Sequence, residues 1–406
     1  MVAVKQLTAS AFEHAPAGMD EVFQLGRRWV MPLLRPMLPV RRLHGLDASG
    51  RPATILAVGT QMTLDALVAH LFVDTPAREE LSQVPLPCLR DSLSHRRQGA
   101  ELVLAVVPRA YAGWLGRDHL HVPALVGFEL RVGQTIAITL AQANSTIRHD
   151  ARQVPEVGYS WTTSTEMEDF ERFFAQFYRP FARARFGPLA VVRESSVLRR
   201  HFRHGGAIVW VHRDGRAVGG ELVRRQGSSL ERLVQALDGD WAGPRNEPSP
   251  QLAIGVACLE LAVGAGLDRI GFGGAVPSLC DGVLRVKRAW GASAHHWDAN
   301  HRTLLIGWSE FGCVPRSFLH LNPLIFGAAG GLGAVAATAP GEPANLAAAR
   351  LIWRRLIPRG IGRLFLVGAA GWSSHAPDGG TAAGGPIVLC PPCSSAELVA
   401  AATATV

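Results

Sequence analysis

Lys287 is the residue whose type and setting most invite chemistry. Lysines are very few among the 41 basic residues, and this one sits in a cluster, with Arg285 and Arg288, that otherwise uses arginine. An ammonium is a compact point charge whose pKa burial can lower, whereas a guanidinium stays charged. Its competing reading is a surface lysine on a helix. Asp281 opens the same stretch at a loop–helix junction, where capping a helix competes with catalysis. Other chemistry is weakly signalled. Gly-x-Ser-x-Gly does not occur, and no Ser/His/Asp or Cys/His arrangement stands out. His201 and His204, or His295, His296 and His301, lack a regular ligand spacing with a carboxylate motif, so no metal site is expected. Cys390-Pro-Pro-Cys393 is a single CxxC without a second pair in a Gly/Pro/Ser-rich tail, which reads as unpaired thiols.

Positioning such groups needs a core, and 406 residues have room for two ordinary domains. Apolar residues make up 48 % and charged residues 18 %, which places the chain among folded proteins. The formal charge of +8 has two readings. One is the Arg, Ala and Gly usage of a GC-rich genome. The other is selection for an anionic partner such as tRNA or a nucleotide thioester. Met1 to Pro16 holds no apolar core long enough for a signal peptide, so a cytoplasmic location is expected. Ser317 to Gly341 lacks Asp, Glu, Lys and Arg and is long enough to span a bilayer, but its Gly and Ala gain little from lipid. Asn345 to Trp372 carries five arginines and no acid. It reads as a domain-capping helix, with peripheral membrane contact as the alternative.

The pattern sharpens along the chain. Glu21 to Leu43 reads as helical and basic but broken by prolines, and Glu101 to Val107 as a buried strand. Gln134 to Leu140 reads as strand-like, and Asn144 to Pro155 as a polar connection. Ser164 to Asp169 offers helix-start chemistry before Phe170, Phe173, Phe174 and Phe177, spaced for one helical face. Gly206 to His212, the turn Arg213-Asp-Gly-Arg216, and Ala217 to Val223 predict a hairpin. A strand at Leu230 to Leu237, a helix at Gln251 to Ala265 and a strand at Leu267 to Phe272 follow. Next come a loop and helix at Pro277 to Trp290 and a strand at Thr303 to Trp308. That order predicts an α/β (α+β) domain with a mixed sheet.

Three of these pieces, the Arg213–Arg216 hairpin, the Gln251–Phe272 helix–strand unit and the run Asp281 to Gly291, together resemble the FemAB-type proteins of the GNAT superfamily. The resemblance covers Trp161 to about Phe326. It implies two tandem GNAT-like domains with mixed sheets flanked by helices, at 1–150 and 151–326. Residues 327–406 are then a Gly/Ala/Pro-rich C-terminal extension, expected to be separable, so that removing 373–406 leaves a folded protein.

The activity this resemblance implies is N-acyl transfer: an acyl or aminoacyl group moves onto a small-molecule or peptide amine. The donor is acyl-CoA, an acyl carrier protein or aminoacyl-tRNA as co-substrate, with no tightly bound cofactor and no DNA partner. A non-catalytic binding protein that kept the fold is the rival. Transfer requires a deprotonated amine, a stabilised oxyanion and aligned substrates. The resemblance assigns Lys287 to oxyanion or leaving-group stabilisation, and Asp281 and Glu221 to catalytic carboxylates. Glu221 competes with a solvent-facing strand position. Tyr178, Arg285 and Trp290 are its substrate-contact candidates, with core packing the simpler account of the two aromatics. The superfamily's pyrophosphate loop, Gln/Arg-x-x-Gly-x-Gly/Ala, has no proper match. Arg216 to Glu221 fails at its last position and lies on a hairpin strand, so a conventional CoA site is not expected.

Overall fold

The structure is a computed structural model that describes residues 37–403, apart from 48–49, 60–63, 65–66, 69–70, 97–98, 187–191, 240–246, 298–301, 329, 340–341, 343, 369–386 and 391. First come β1 (Met37–Leu46), β2 (Pro52–Val58), β3 (Ala77–Pro85), α1 (Leu89–Arg96), β4 (Leu102–Pro108), α2 (Arg109–Leu115), β5 (Leu120–Pro123) and β6 (Val126–Arg131). Then come α3 (Ile136–Leu140), α4 (Ser145–Glu156), β7 (Tyr159–Ser164), α5 (Met167–Arg172), a π-helical turn (Phe173–Tyr178), α6 (Arg179–Phe186) and α7 (Ser195–Arg203). They are followed by β8 (Gly206–Arg213), β9 (Arg216–Gln226), β10 (Ser229–Leu237), α8 (Pro250–Gly264), β11 (Arg269–Ala275), α9 (Gly282–Ala289), β12 (Ser293–His296) and β13 (Arg302–Gly307). The chain closes with α10 (Cys313–Leu321), β14 (Leu324–Ala328), β15 (Gly331–Ala337), α11 (Leu346–Leu356), β16 (Ile361–Val367), β17 (Ile387–Cys390) and α12 (Ser395–Thr403). The fold is mixed α/β, with three mixed sheets flanked by helices.

Contacts divide the described chain into two compact units, 127–273 with 286–293, and 37–126 with 274–285 and 294–403. The first is built on a seven-stranded sheet ordered β12-β6-β11-β10-β9-β8-β7. Asp214 (φ 52°) and Gly215 (φ 77°) make the two-residue turn that fixes the β8–β9 register, as Asp-Gly turns do. One sheet face packs against α8, which buries residues all round and so sits inside the unit. The other face carries Phe170, Phe173 and Phe177, with Trp210 edge-on to Phe173 and Phe177. Ser164 Oγ accepts the Glu166 N–H at 3.1 Å just ahead of this aromatic helix, where the sequence puts its start.

Two sequence expectations fail here for one reason. Residues 136–140 are helical, not a strand, and 145–156 form a helix, not a polar connection. In both, a side-chain cap decides the matter: Thr135 Oγ1 accepts the Ile138 N–H, and Asn144 Oδ1 accepts the Ile147 N–H.

The second unit is built on a six-stranded sheet ordered β3-β1-β2-β4-β13-β5. Residues 37–43, read as the end of a basic helix, lie in β1; the rest of that prediction falls outside the described residues. One sheet face packs on α1 and α2 through Leu89, Leu93, Ala112 and Leu115. Its other face shares a core with the third sheet, β14-β15-β16-β17. The described part of 327–406 thus packs into the core of this unit instead of standing apart as an extension. Leu398 and Ala402 of α12 are buried in that core with Ile55, Leu104 and Phe318. Ser395 Oγ donates to the Asp118 carbonyl at 2.7 Å, and Trp308 Nε1 donates to the Cys393 carbonyl at 2.7 Å. The Ala- and Gly-rich composition hid strands whose small side chains permit close layering. Burial pushes the Cys390 thiol up to about 12 and the Cys393 thiol up to about 11.

The charge-free stretch 317–341 spans the end of α10, then β14 and β15, and no helix among the described residues is long and apolar enough to cross a membrane. Residues 345–368 hold α11 and β16, so the domain-capping helix is the crossover helix of a β-α-β unit between β15 and β16.

The two sheets exchange strands. In the six-stranded sheet β13, from late in the chain, lies between β4 and β5. In the seven-stranded sheet β6, from early in the chain, lies between β11 and β12. The compact units are therefore not contiguous in sequence, and contacts do not divide at 150 or 326.

Candidate active site

The seven-stranded sheet contains a fork. β10 and β11 run parallel and pair from Ser229–Arg269 to Glu231–Gly271, where the register ends. β10 continues over residues 232–237, still paired with β9 on its other side. Open sheets bind ligands beyond the carboxyl ends of their parallel strands, where backbone groups are left to engage them. The sequence explains the parting: β11 reads Arg-Ile-Gly-Phe-Gly-Gly-Ala, with little side-chain surface to hold a neighbour. A bulge between Arg232 and Val234 adds to it by switching faces. Leu230 packs beneath α8, whereas Val234 and Ala236 pack with Phe170 and Phe173.

Two charges lie under the fork. Arg232 donates from Nε to Glu221 Oε2 at 2.9 Å, and its Nη2 lies 2.8 Å from the same oxygen. Their side chains are 10 % and 5 % exposed. The Arg232 guanidinium also lies over the Phe272 ring, 4.6 Å from its centroid. Burial works against its charge, yet the Glu221 carboxylate holds its pKa above the usual value. Cys258 of α8 brings its Sγ to 3.5 Å from Glu221 Oε2. Burial first, then the carboxylate, push that thiol well above its ordinary range, so it is no thiolate nucleophile.

Lys287 is buried rather than a surface lysine. Its Nζ donates to the Gly273 carbonyl at 2.9 Å and stands 5.5 Å from the centroid of the Phe128 ring. Gly273 has φ 67°, a left-handed conformation at the point where β11 leaves its partner. Lys287 therefore places its ammonium at the fork.

The remaining expected residues sit as follows. Asp281 caps α9, its Oδ1 accepting the Leu284 N–H at 2.8 Å. Glu221 is buried and ion-paired, neither solvent-facing nor a free base. Trp290 is core: an added Cβ on Gly255 would stand 2.4 Å from its ring. Tyr178 is core too, its hydroxyl accepting the Arg193 N–H at 3.0 Å. Arg285 is exposed on α9. His201 pairs with Arg224 at 2.9 Å, and His301 lies outside the described residues. Sequence reasoning missed Arg232, Phe272 and Gly273. A legible signal existed for one pair: Phe272-Gly273 lies in a glycine-rich strand, Gly271 to Gly274. Arg232 carried none, because its pairing opposite Val223 and its meeting with Glu221 leave no mark in the letters.

Solved structures resemble this chain at low identity. FemX matches at 12 % identity and TM-score 0.38, covering 74 % of this chain and 95 % of that one. L-PGS from Bacillus licheniformis matches at 9 % and 0.32, covering 66 % and 83 %. A tandem GNAT protein from the clavulanic acid biosynthesis pathway matches at 13 % and 0.29, covering 64 % and 79 %. At these values the mixed-sheet fold stands on the strand order of the chain itself. No protein-family model matches the sequence, and no curated protein does.

Proposed function

We propose that this chain is an N-acyltransferase moving an acyl or aminoacyl group from a thioester or aminoacyl-tRNA donor onto an amine. The observation that carries this reading is the fork between β10 and β11 with the buried Lys287 ammonium at its edge. The repeated order of a parallel pair, an exchanged strand and a short terminal strand supports two related acetyltransferase-like halves. An extended donor engages the backbone that β10 and β11 leave open. The amine nitrogen attacks the donor carbonyl, a C–N bond forms, and the bond to sulfur or to the ribose oxygen breaks. The proton lost by the amine ends on that departing atom. A fixed positive charge favours the oxyanion over the neutral carbonyl. Glu221 acts as the counter-ion of Arg232, and Asp281 as a helix cap. The donor is a diffusible co-substrate: acyl-CoA, an acyl carrier protein or aminoacyl-tRNA.

The test is single-turnover transfer across a donor panel with Lys287→Ala, Lys287→Met and Lys287→Arg, circular dichroism confirming the fold. Losing one such donor costs about 10²–10³ in rate, or roughly 3–4 kcal/mol of barrier. Arg is expected to rescue poorly, since its planar fork does not fit an ammonium's place. Wild-type rates in the Ala and Met variants would return Lys287 to a structural role. A non-catalytic binding protein is the second reading. The locked Glu221–Arg232 pair favours it, and absence of transfer from every donor class would establish it.

A further inference from the structure

The unit built on the six-stranded sheet holds a cavity of about 620 Å³. Arg109, Arg117 and Arg302 line it, with His119, His121 and His296, and no carboxylate is among its described lining residues. Three guanidiniums around one space exceed what a single negative charge needs, and they suit the multiple acceptor oxygens of phosphate. The remaining wall is mostly apolar, including Trp297 and Phe326, with the threonines Thr303 and Thr403. Two glycines shape that wall. An added Cβ on Gly274 would stand 1.7 Å from a Trp297 ring carbon, so the indole fills the space that a side chain there would take. Likewise a Cβ on Gly307 would stand 2.3 Å from the His119 ring. His121 is held by a 2.8 Å hydrogen bond with the Gly116 carbonyl. Val399 and Ala402 of α12 complete the wall, so the segment added after β13 helps build it. A space this large takes far more than a bare phosphate ion.

We infer that this cavity binds an organic phosphate ester, its phosphate among the arginines and its apolar or flat body against Trp297 and Phe326. The inference goes beyond the transfer reading and does not depend on it.

Isothermal titration of the full chain tests it with four probes: inorganic phosphate, a nucleoside 5′-monophosphate, hexyl phosphate, and the uncharged nucleoside. At least one ester is expected to bind tenfold or more tighter than inorganic phosphate, and the nucleoside not at all. Preference for the nucleotide identifies a flat base as the body, and preference for hexyl phosphate an aliphatic one. Arg109→Gln with Arg117→Gln, both exposed positions, is expected to weaken the ester at least tenfold at unchanged melting temperature. Gly274→Ala, which evicts Trp297, is expected to erase the advantage of the ester over inorganic phosphate. Esters binding no tighter than inorganic phosphate, or unaffected by the double substitution, would overturn the assignment.

Discussion

The two larger sheets each contain a parallel pair and treat it in opposite ways. β2 and β4 pair from Ile55–Leu102 to Val58–Ala105, the last residue of β2. Gly59 (φ 100°) then lies so close that an added Cβ would stand 2.5 Å from the Val106 carbonyl oxygen. β10 and β11 part after three pairs. Side chains account for the difference. β4 reads Leu-Val-Leu-Ala-Val-Val-Pro and buries six successive residues, as a strand covered on both faces does. β11 has three glycines in seven residues and cannot hold its neighbour by packing. A closed pair makes core; an open one presents backbone and, here, a lysine.

The comparison breaks most severely by deleting 387–406. That removes β17 and α12, with Cys390, Leu398 and Ala402, from the core under the closed pair. Loss of the cooperative thermal transition, with aggregation, is expected. A sharp wild-type-like transition would make the third sheet a mere appendage.

Next in size is Glu221→Ala, which strands the Arg232 charge beneath the open fork. Removing one partner of a buried pair costs about 3–5 kcal/mol, read by chemical denaturation. The double substitution Glu221→Leu with Arg232→Met restores most of it if the pair is structural. Transfer surviving in that double variant would exclude Glu221 from catalysis.

The two parallel pairs can also be set against each other at their glycines. Gly59→Ala meets a backbone oxygen in a left-handed conformation, and overpacking with that strain costs about 2–4 kcal/mol. Gly273→Ala has its nearest neighbour, the Arg232 carbonyl oxygen, 3.7 Å away. Only the conformational strain remains there, about 1–2 kcal/mol. Equal losses in denaturation would mean that the β10–β11 pair is as closed as the β2–β4 pair.

The smallest expected effect is that of free CoA. The segment 238–249 between β10 and α8 lacks the Gly-x-Gly/Ala cradle for pyrophosphate. A ligand at a hundredfold excess over its Kd adds about 2.7 kcal/mol. Free CoA is expected to raise the melting temperature far less than that implies. A large rise would make CoA the donor and give the open fork a phosphate-binding loop of another kind.

The sequence by itself determined the local elements of the seven-stranded sheet. Asp214-Gly215 dictates a two-residue turn, the Phe170–Phe177 spacing a one-sided helix, and Gly266 (φ 62°) a helix stop. It also singled out Lys287, through its rarity among arginines. Burial, partners and pairing were decided only by the tertiary structure. Whether Glu221 faces water depends on Arg232, eleven residues away on a neighbouring strand. β6 and β13 enter each other's half of the chain because a strand edge accepts any backbone of the right length. Backbone hydrogen bonding is indifferent to side-chain identity, so no pattern in the letters of either strand names its partner.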